Sequence, residues 1–288
     1  QDAVMLGANT TITANGGIEF QSTIDGAQSL TVSAGTGKVS FGGEVGGTTA
    51  LTSVSVTSTN GGADAITLRS VTTSGAQSYT GNVTLGADTT LTTTDSVVTF
   101  VGTVDPTTDS VEGLTLLAGS GNISVTGPVG SSKRLGALTI SSGNNVTFTG
   151  AVTAASFTQA AGSGTTRFDG AEDYTGNFSF TGTALTINDA LMVGGTATVT
   201  NSGLFTKNST GVITASGGFT QNGTGLNSIG ANISTTNTNL SFGTGITLTA
   251  SVQLSTGAGG GDITVSSTVD PTTDSVEGLT LLAGSGNI

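Results

Sequence analysis

The chain has no cysteine, no histidine and no tryptophan, and only 3 prolines in 288 residues. Without histidine or cysteine there is no Ser-His-Asp triad, no Cys-His dyad, and no zinc site built on either residue. Charged residues make up 8% of the chain, against about 25% in an average soluble domain. Basic residues are the scarcest, with 6 Lys plus Arg against 18 Asp plus Glu, a net charge of −12 and an isoelectric point near 4.1. A basic footprint for nucleic acid is absent, and the acidity disfavours anionic membrane surfaces. Apolar runs such as LTLLAG are far below the roughly 20 residues of a spanning helix, so membrane insertion is not expected. The opening QDAVMLGANTTI has neither the basic region nor the apolar core of a signal peptide, which a mature or internal fragment would not retain.

Water is met instead by Thr, Ser, Asn and 47 Gly. Disordered chains combine low hydrophobicity with high charge and few β-branched residues; this one is rich in Val, Ile and Thr, the residues of strands. Its apolar clusters are three to five residues long and alternate with period two. They recur every seven to ten residues with Gly or Asn between them, the pattern of short half-buried strands and tight turns. No window sustains a helical period, and almost no helix is expected.

Internal repetition organises the chain. TVDPTTDSVEGLTLLAGSGNI occurs at Thr103–Ile123 and again at Thr268–Ile288, 165 residues on (268 − 103). VMLGANTTIT from Val4 is answered by VTLGADTTLT from Val83, and LTVSAGTGKVSFGGEVG from Leu30 by LTLLAGSGNISVTGPVG from Leu114, 84 residues on (114 − 30). GAQSYTGN, ending at Asn82, returns as GAEDYTGN, ending at Asn177. Repeats are expected at about 4–82, 83–165, a divergent 166–245 and a partial 246–288, and the chain reads as a window from a longer repeat polypeptide.

Two architectures fit such repeats. Tandem β-sandwich domains need a two-sheet core with large residues and usually linkers, and neither is evident. A parallel β-helix, or β-solenoid, needs only short strands from successive coils stacking at about 4.8 Å. Coils of about 20 residues, some 14 in all, make both offsets near whole numbers of coils, and one continuous solenoid over 1–288 is the expectation.

The candidate sites are few. The densest acidic loop holds Asp105, Asp109 and Glu112, repeated as Asp270, Asp274 and Glu277. Oxygens at alternating loop positions suit calcium, yet DPTTDSVEG lacks the ligand density of calcium-bound β-rolls, so a solvated, Pro-opened turn is the simpler reading. No other cofactor is indicated. Glu172 and Asp173, near Asp169 and Arg167, form the other charged patch; Gln77 and Ser78 stand at the matching positions of the first copy, so the charges read as surface solubility. Lys133 and Arg134 replace Thr48 and Thr49 and read as surface loop positions. Thr-x-Thr triplets invite an ice-binding face, which would need triplets at one fixed coil phase; their sequence spacing is irregular.

The phrases LTVSAGTGKVSFGGEVGGTTALTSVSVTS and YTGNVTLGADTTLTTT resemble the repeats of very large bacterial surface and secreted proteins, the filamentous-haemagglutinin-like and autotransporter-type adhesins. The resemblance is compositional and periodic. It implies a right-handed parallel β-helix at the bacterial cell surface, serving adhesion, biofilm cohesion or a filamentous coat. The expected function is therefore that of a structural and adhesive extracellular filament rather than an enzyme. Its partners would be copies of itself or continuing repeats end to end, and host, cell or matrix surfaces. The alternative is a carbohydrate-binding or carbohydrate-cleaving β-helix, which needs a groove lined by aromatics and paired carboxylates. Aromatic residues are only 5% of the chain.

Overall fold

A computed structural model describes residues 2–288. These residues form short strands joined by turns and no helix, and therefore no helix long and apolar enough to cross a membrane. The chain is a β-solenoid of parallel strands in stacked coils about 21 residues apart, about 13 turns in all. It divides into two compact units, Gln1–Ala154 and Ala155–Ile288.

In the first unit the coils build three parallel ladders, with isolated bridges in place of a strand at Val45 and Val129. The first ladder runs through Thr10–Thr13, Ser29–Ser33, Ser53–Thr57, Gln77–Thr80, Val98–Phe100, Ile123–Val125 and Val146–Phe148. The second includes Ile18–Phe20, Val39–Phe41, Ile66–Leu68, Val83–Leu85 and Val104–Pro106. The third includes Val71–Thr72, Thr89–Thr92, Leu114–Leu117 and Leu135–Ser142. In the second unit too the strands fall into three parallel ladders, represented by Phe205–Lys207, Glu172–Tyr174 and Phe178–Gly182.

Period-two alternation decides which side chains enter the interior. Val98 and Phe100 are fully buried while Thr99 between them is half-exposed, because successive strand residues face opposite ways. In-register stacking then places like on like. The Phe20 and Phe41 rings lie 5.1 Å apart and nearly parallel, and Phe157 and Phe178 lie 5.0 Å apart. Each fully buried Phe contributes roughly 1.5–3 kcal/mol by leaving water, which no single coil could achieve alone.

Asn and Asp at the coil corners stitch one coil to the next. Asn82 Oδ1 accepts the Thr103 N–H at 3.3 Å, Asn122 Oδ1 that of Asn145 at 3.1 Å, and Asn177 Oδ1 that of Thr196 at 3.0 Å. A corner leaves backbone donors outside the ladders, and burying them unpaired is costly. This gives a physical reason for Asn at strand boundaries.

One expectation needs correction. The 84-residue repeat is not a whole number of coils. From Leu30 the first ladder passes through Val54, Gln77 and Val98, which is three coils. Two further strands, Val104–Pro106 and Leu114–Leu117, then carry the chain to Leu114 in the third ladder. The repeat therefore advances by three and two-thirds coils, and equivalent residues land on different faces. Coils also differ in length: Ile66 and Val83 are in-register partners 17 residues apart (83 − 66), Val39 and Ile66 partners 27 apart (66 − 39). Turns absorb the difference, so sequence spacing alone does not give coil phase.

Candidate functional site

The acidic loop of the first copy lies at a joint between coils. Asp105 is 3% exposed, and its Oδ1 accepts the Ser132 N–H at 2.9 Å. Asp109 Oδ1 accepts the Arg134 N–H at 2.7 Å, and Glu112 Oε2 the Thr108 N–H at 2.7 Å. The Lys133 amino group donates to the Thr107 carbonyl and Arg134 Nη1 to the Ala154 carbonyl at 3.0 Å. Lys133 is exposed, whereas Arg134 is half-buried. Asp105 and Asp109 bind backbone donors of the following coil and Glu112 one of its own loop, and among the described residues no three acidic groups converge on a common point that could hold a metal ion. In the second copy Glu277 Oε2 likewise accepts the Thr273 N–H at 2.9 Å, while Asp270 and Asp274 are exposed.

The charged patch around Glu172 differs from the surface reading. Arg167 and Asp169 do pair at the surface, Nε to Oδ1 at 2.6 Å. Glu172 instead points inward from the strand Glu172–Tyr174 and is 1% exposed, and neither carboxylate oxygen has a hydrogen-bond partner. The Tyr174 hydroxyl, two residues on and on the same inward side, also lacks one. Lys207 is fully buried and donates to the carbonyls of Asp189 at 2.8 Å, Asn208 at 3.1 Å and Thr210 at 2.6 Å. Burial pushes the Glu172 carboxyl up to about 9, with Lys207 opposing and Asp189 reinforcing the rise. Burial brings the Lys207 ammonium down to about 8 against the pull of Glu172 and Asp189. Burial, then Glu172 and Asp173, hold the Tyr174 hydroxyl well above its ordinary range.

The first copy of the same motif shows what is missing. Gln77 is also fully buried, and its Nε2 donates to the Val71 carbonyl at 3.1 Å, Thr73 Oγ1 at 3.2 Å and the Thr92 carbonyl at 2.9 Å. Tyr79 Oη donates to Gln77 Oε1 at 3.0 Å. Glutamate at the matching position has no amide donors for the carbonyls that Gln77 serves, and here neither its oxygens nor the Tyr174 hydroxyl is paired. The Gln-to-Glu difference was visible in the sequence; the inward direction of the strand was not.

Two surface features bear on the carbohydrate and ice-binding alternatives. A groove of about 420 Å³ in the second unit crosses four chain segments and is lined by residues such as Gly162, Thr183, Asn201, Ser202 and Thr224. It has no aromatic and no carboxylate side chain, and so lacks what glycan stacking and cleavage require. On the first ladder of the first unit, Thr11, Thr31, Ser55, Ser78, Thr99, Ser124 and Thr147 form one in-register outward column. Thr13, Ser33, Thr57 and Thr80 form a second beside it. Column members are about 4.8 Å apart along the stack and the columns about 6.6 Å apart. In sequence, neighbours in the first column are separated by 20 (31 − 11) to 25 (124 − 99) residues. These Thr/Ser pairs share one coil phase despite uneven turns, but other triplets do not: Thr90-Leu91-Thr92 lies on the third ladder and Thr198-Val199-Thr200 on the Phe178–Gly182 ladder.

Comparison with known proteins gives no match to any family model, to any curated protein or to any solved structure.

Proposed function

We propose that this chain is a segment of an extracellular structural and adhesive filament at the bacterial cell surface, acting by self-association and multivalent contact rather than by catalysis. The observation that supports it most is the distribution of its outward chemistry. Small hydroxyl side chains stand in columns along the ladders instead of converging on one pocket. In the first unit equivalent repeat elements also emerge on different faces. Many weak, repeated contacts can give high avidity without a strong site. Cryo-electron microscopy of material taken from the cell surface tests this reading: a continuous array with a repeat near 4.8 Å supports it. Beads joined by hinges, or absence from the surface, would sink it.

A second reading comes from the paired Thr/Ser columns on the first ladder. A flat, regular lattice of hydroxyl and methyl groups suits an ordered water layer, and hence ice. Thermal hysteresis with the intact chain, lost on Thr31→Lys, supports it; no hysteresis and no inhibition of recrystallisation removes it.

A further inference from the structure

The outward side of the first ladder in the first unit holds a third column beside the two described above. Ser29 pairs in register with Ser53. From there the N–H groups of Val54, Gln77 and Val98 donate to the carbonyls of Ala76, Val97 and Asn122, which carries the column on coil by coil. Val101 likewise donates to the Tyr79 carbonyl and Thr126 to that of Phe100, which sets both in line with Thr80. Across the three columns, from residues 9–13 to residues 145–149, no position is Asp, Glu, Lys or Arg. The chain as a whole carries −12, and outward charge such as that of Glu19 stands on the second ladder.

One coil in this face turns apolar side chains outward. Val97 and Val101 flank the strand Val98–Phe100, about 13 Å apart, and are 38% and 48% exposed, with the half-exposed Thr99 between them. Around them the face is small and polar, and each Ser or Thr hydroxyl both donates and accepts. Such a face complements a second copy of itself, and a two-fold contact sets valine against valine. A basic partner would be drawn to the acidic faces, and an anionic one finds no cation here. Three columns over seven coils span about 13 Å by 29 Å. That is roughly 400 Å² per copy and 800 Å² per pair, below the ~1,200 Å² of stable complexes. A single pair of faces therefore binds weakly, and repetition of the face adds avidity.

We propose that this charge-free outer face of the first ladder is a lateral docking surface for a second copy of the chain, with Val97 and Val101 at its centre of contact. The proposal deepens the self-associating reading above, on which it rests for its biological setting, by naming the surface through which copies meet side to side. Lysine at either valine would carry charge into the contact and remove the apolar pair, whereas lysine at Thr67, outward on the second ladder, lies off the face.

The test is sedimentation equilibrium of the full chain from about 10 μM to 1 mM. A reversible dimer with a Kd of about 0.1–1 mM is expected, weakened at least about ten-fold by Val97→Lys and by Val101→Lys and unchanged by Thr67→Lys. Both valines are exposed, so the substitutions should leave the fold intact, and circular dichroism checks this. Added salt should strengthen the dimer, because it screens the acidic flanks of the two copies from each other. A chain that stays monomeric at about 1 mM, a dimer indifferent to both valine substitutions, or one that salt weakens overturns the proposal. Thermal hysteresis from a monomeric chain would assign the face to ice and overturn it as well. Sedimentation is read on the isolated chain, so absence of the protein from the cell surface would refute the filament reading without touching this result. A continuous array at the surface, built from a chain that is monomeric in solution, would keep the filament reading and remove this face from it.

Discussion

Replacing Glu172 with Gln should stabilise the second unit, and by an amount that depends on pH. Glu172 Oε1 and Oε2 and the Tyr174 hydroxyl are buried without partners, whereas Gln77 and Tyr79 satisfy one another in the first copy. The Glu172 carboxyl is raised from 4.5 to about 9 in the folded state. The folded chain therefore holds this proton more tightly than the unfolded chain. The stability it contributes is fully present below about pH 4.5 and is lost as pH rises toward 9. Over that window the slope approaches 1.4 kcal/mol per pH unit, so roughly 3 kcal/mol is forfeited by pH 7 relative to pH 4.5. Lys207, lowered from 10.5 to about 8, has the opposite slope, regaining stability between about pH 8 and 10.5, above the window compared in the parent chain; loss of the Glu172 charge lowers it further in Glu172→Gln. Carboxylates held low, such as Asp64 by its hydrogen bond with Lys38, lose stability on acidification in both proteins and cancel in the difference. Hydrogen exchange of Glu172–Tyr174 and Leu191–Val193, with urea midpoints from pH 4.5 to 7.5, should show the two proteins diverging, Glu172→Gln gaining roughly 3 kcal/mol by neutral pH. Parallel curves across that range would refute the reasoning.

Four further outcomes are expected. Phe157→Ala removes a ring packed 5.0 Å from Phe178 and 5.3 Å from Phe168 and should cost about 3–5 kcal/mol in urea unfolding. Gly130→Ala forces a Cβ against the Thr153 carbonyl at a positive φ and should destabilise the first unit by more than about 1 kcal/mol. Gly7→Ala, with nothing within 4 Å, should be near neutral by the same melt. Millimolar calcium should leave the melting temperature within about 1 °C, since Asp105, Asp109 and Glu112 already accept backbone donors; a rise of several degrees would restore the calcium reading.

The alternation of Val98, Thr99 and Phe100, the absence of helical period and the repeated blocks were enough to read parallel coils from residues alone. Where the reading failed, turns of unequal length were the cause. They moved Leu114 to a different ladder from Leu30 and brought Thr11, Thr31 and Ser55 into one column despite uneven spacing. Glu172 failed for a related reason: the side of a strand that faces inward is set by pairing register, and a shift of one residue reverses it.

The twice-written block separates what sequence determines from what tertiary structure decides. Both copies form the same strands, and Ser110 and Ser275 share φ +61°. Glu112 and Glu277 accept the same backbone donor in each. These features depend on contacts within a few residues, so an identical sequence reproduces them. Burial does not repeat: Leu114 is inside and Leu279 half out, Asp105 covered and Asp270 open. A coil's own residues shape its strands and turns, but the neighbour stacked above removes its apolar side chains and carboxylates from water.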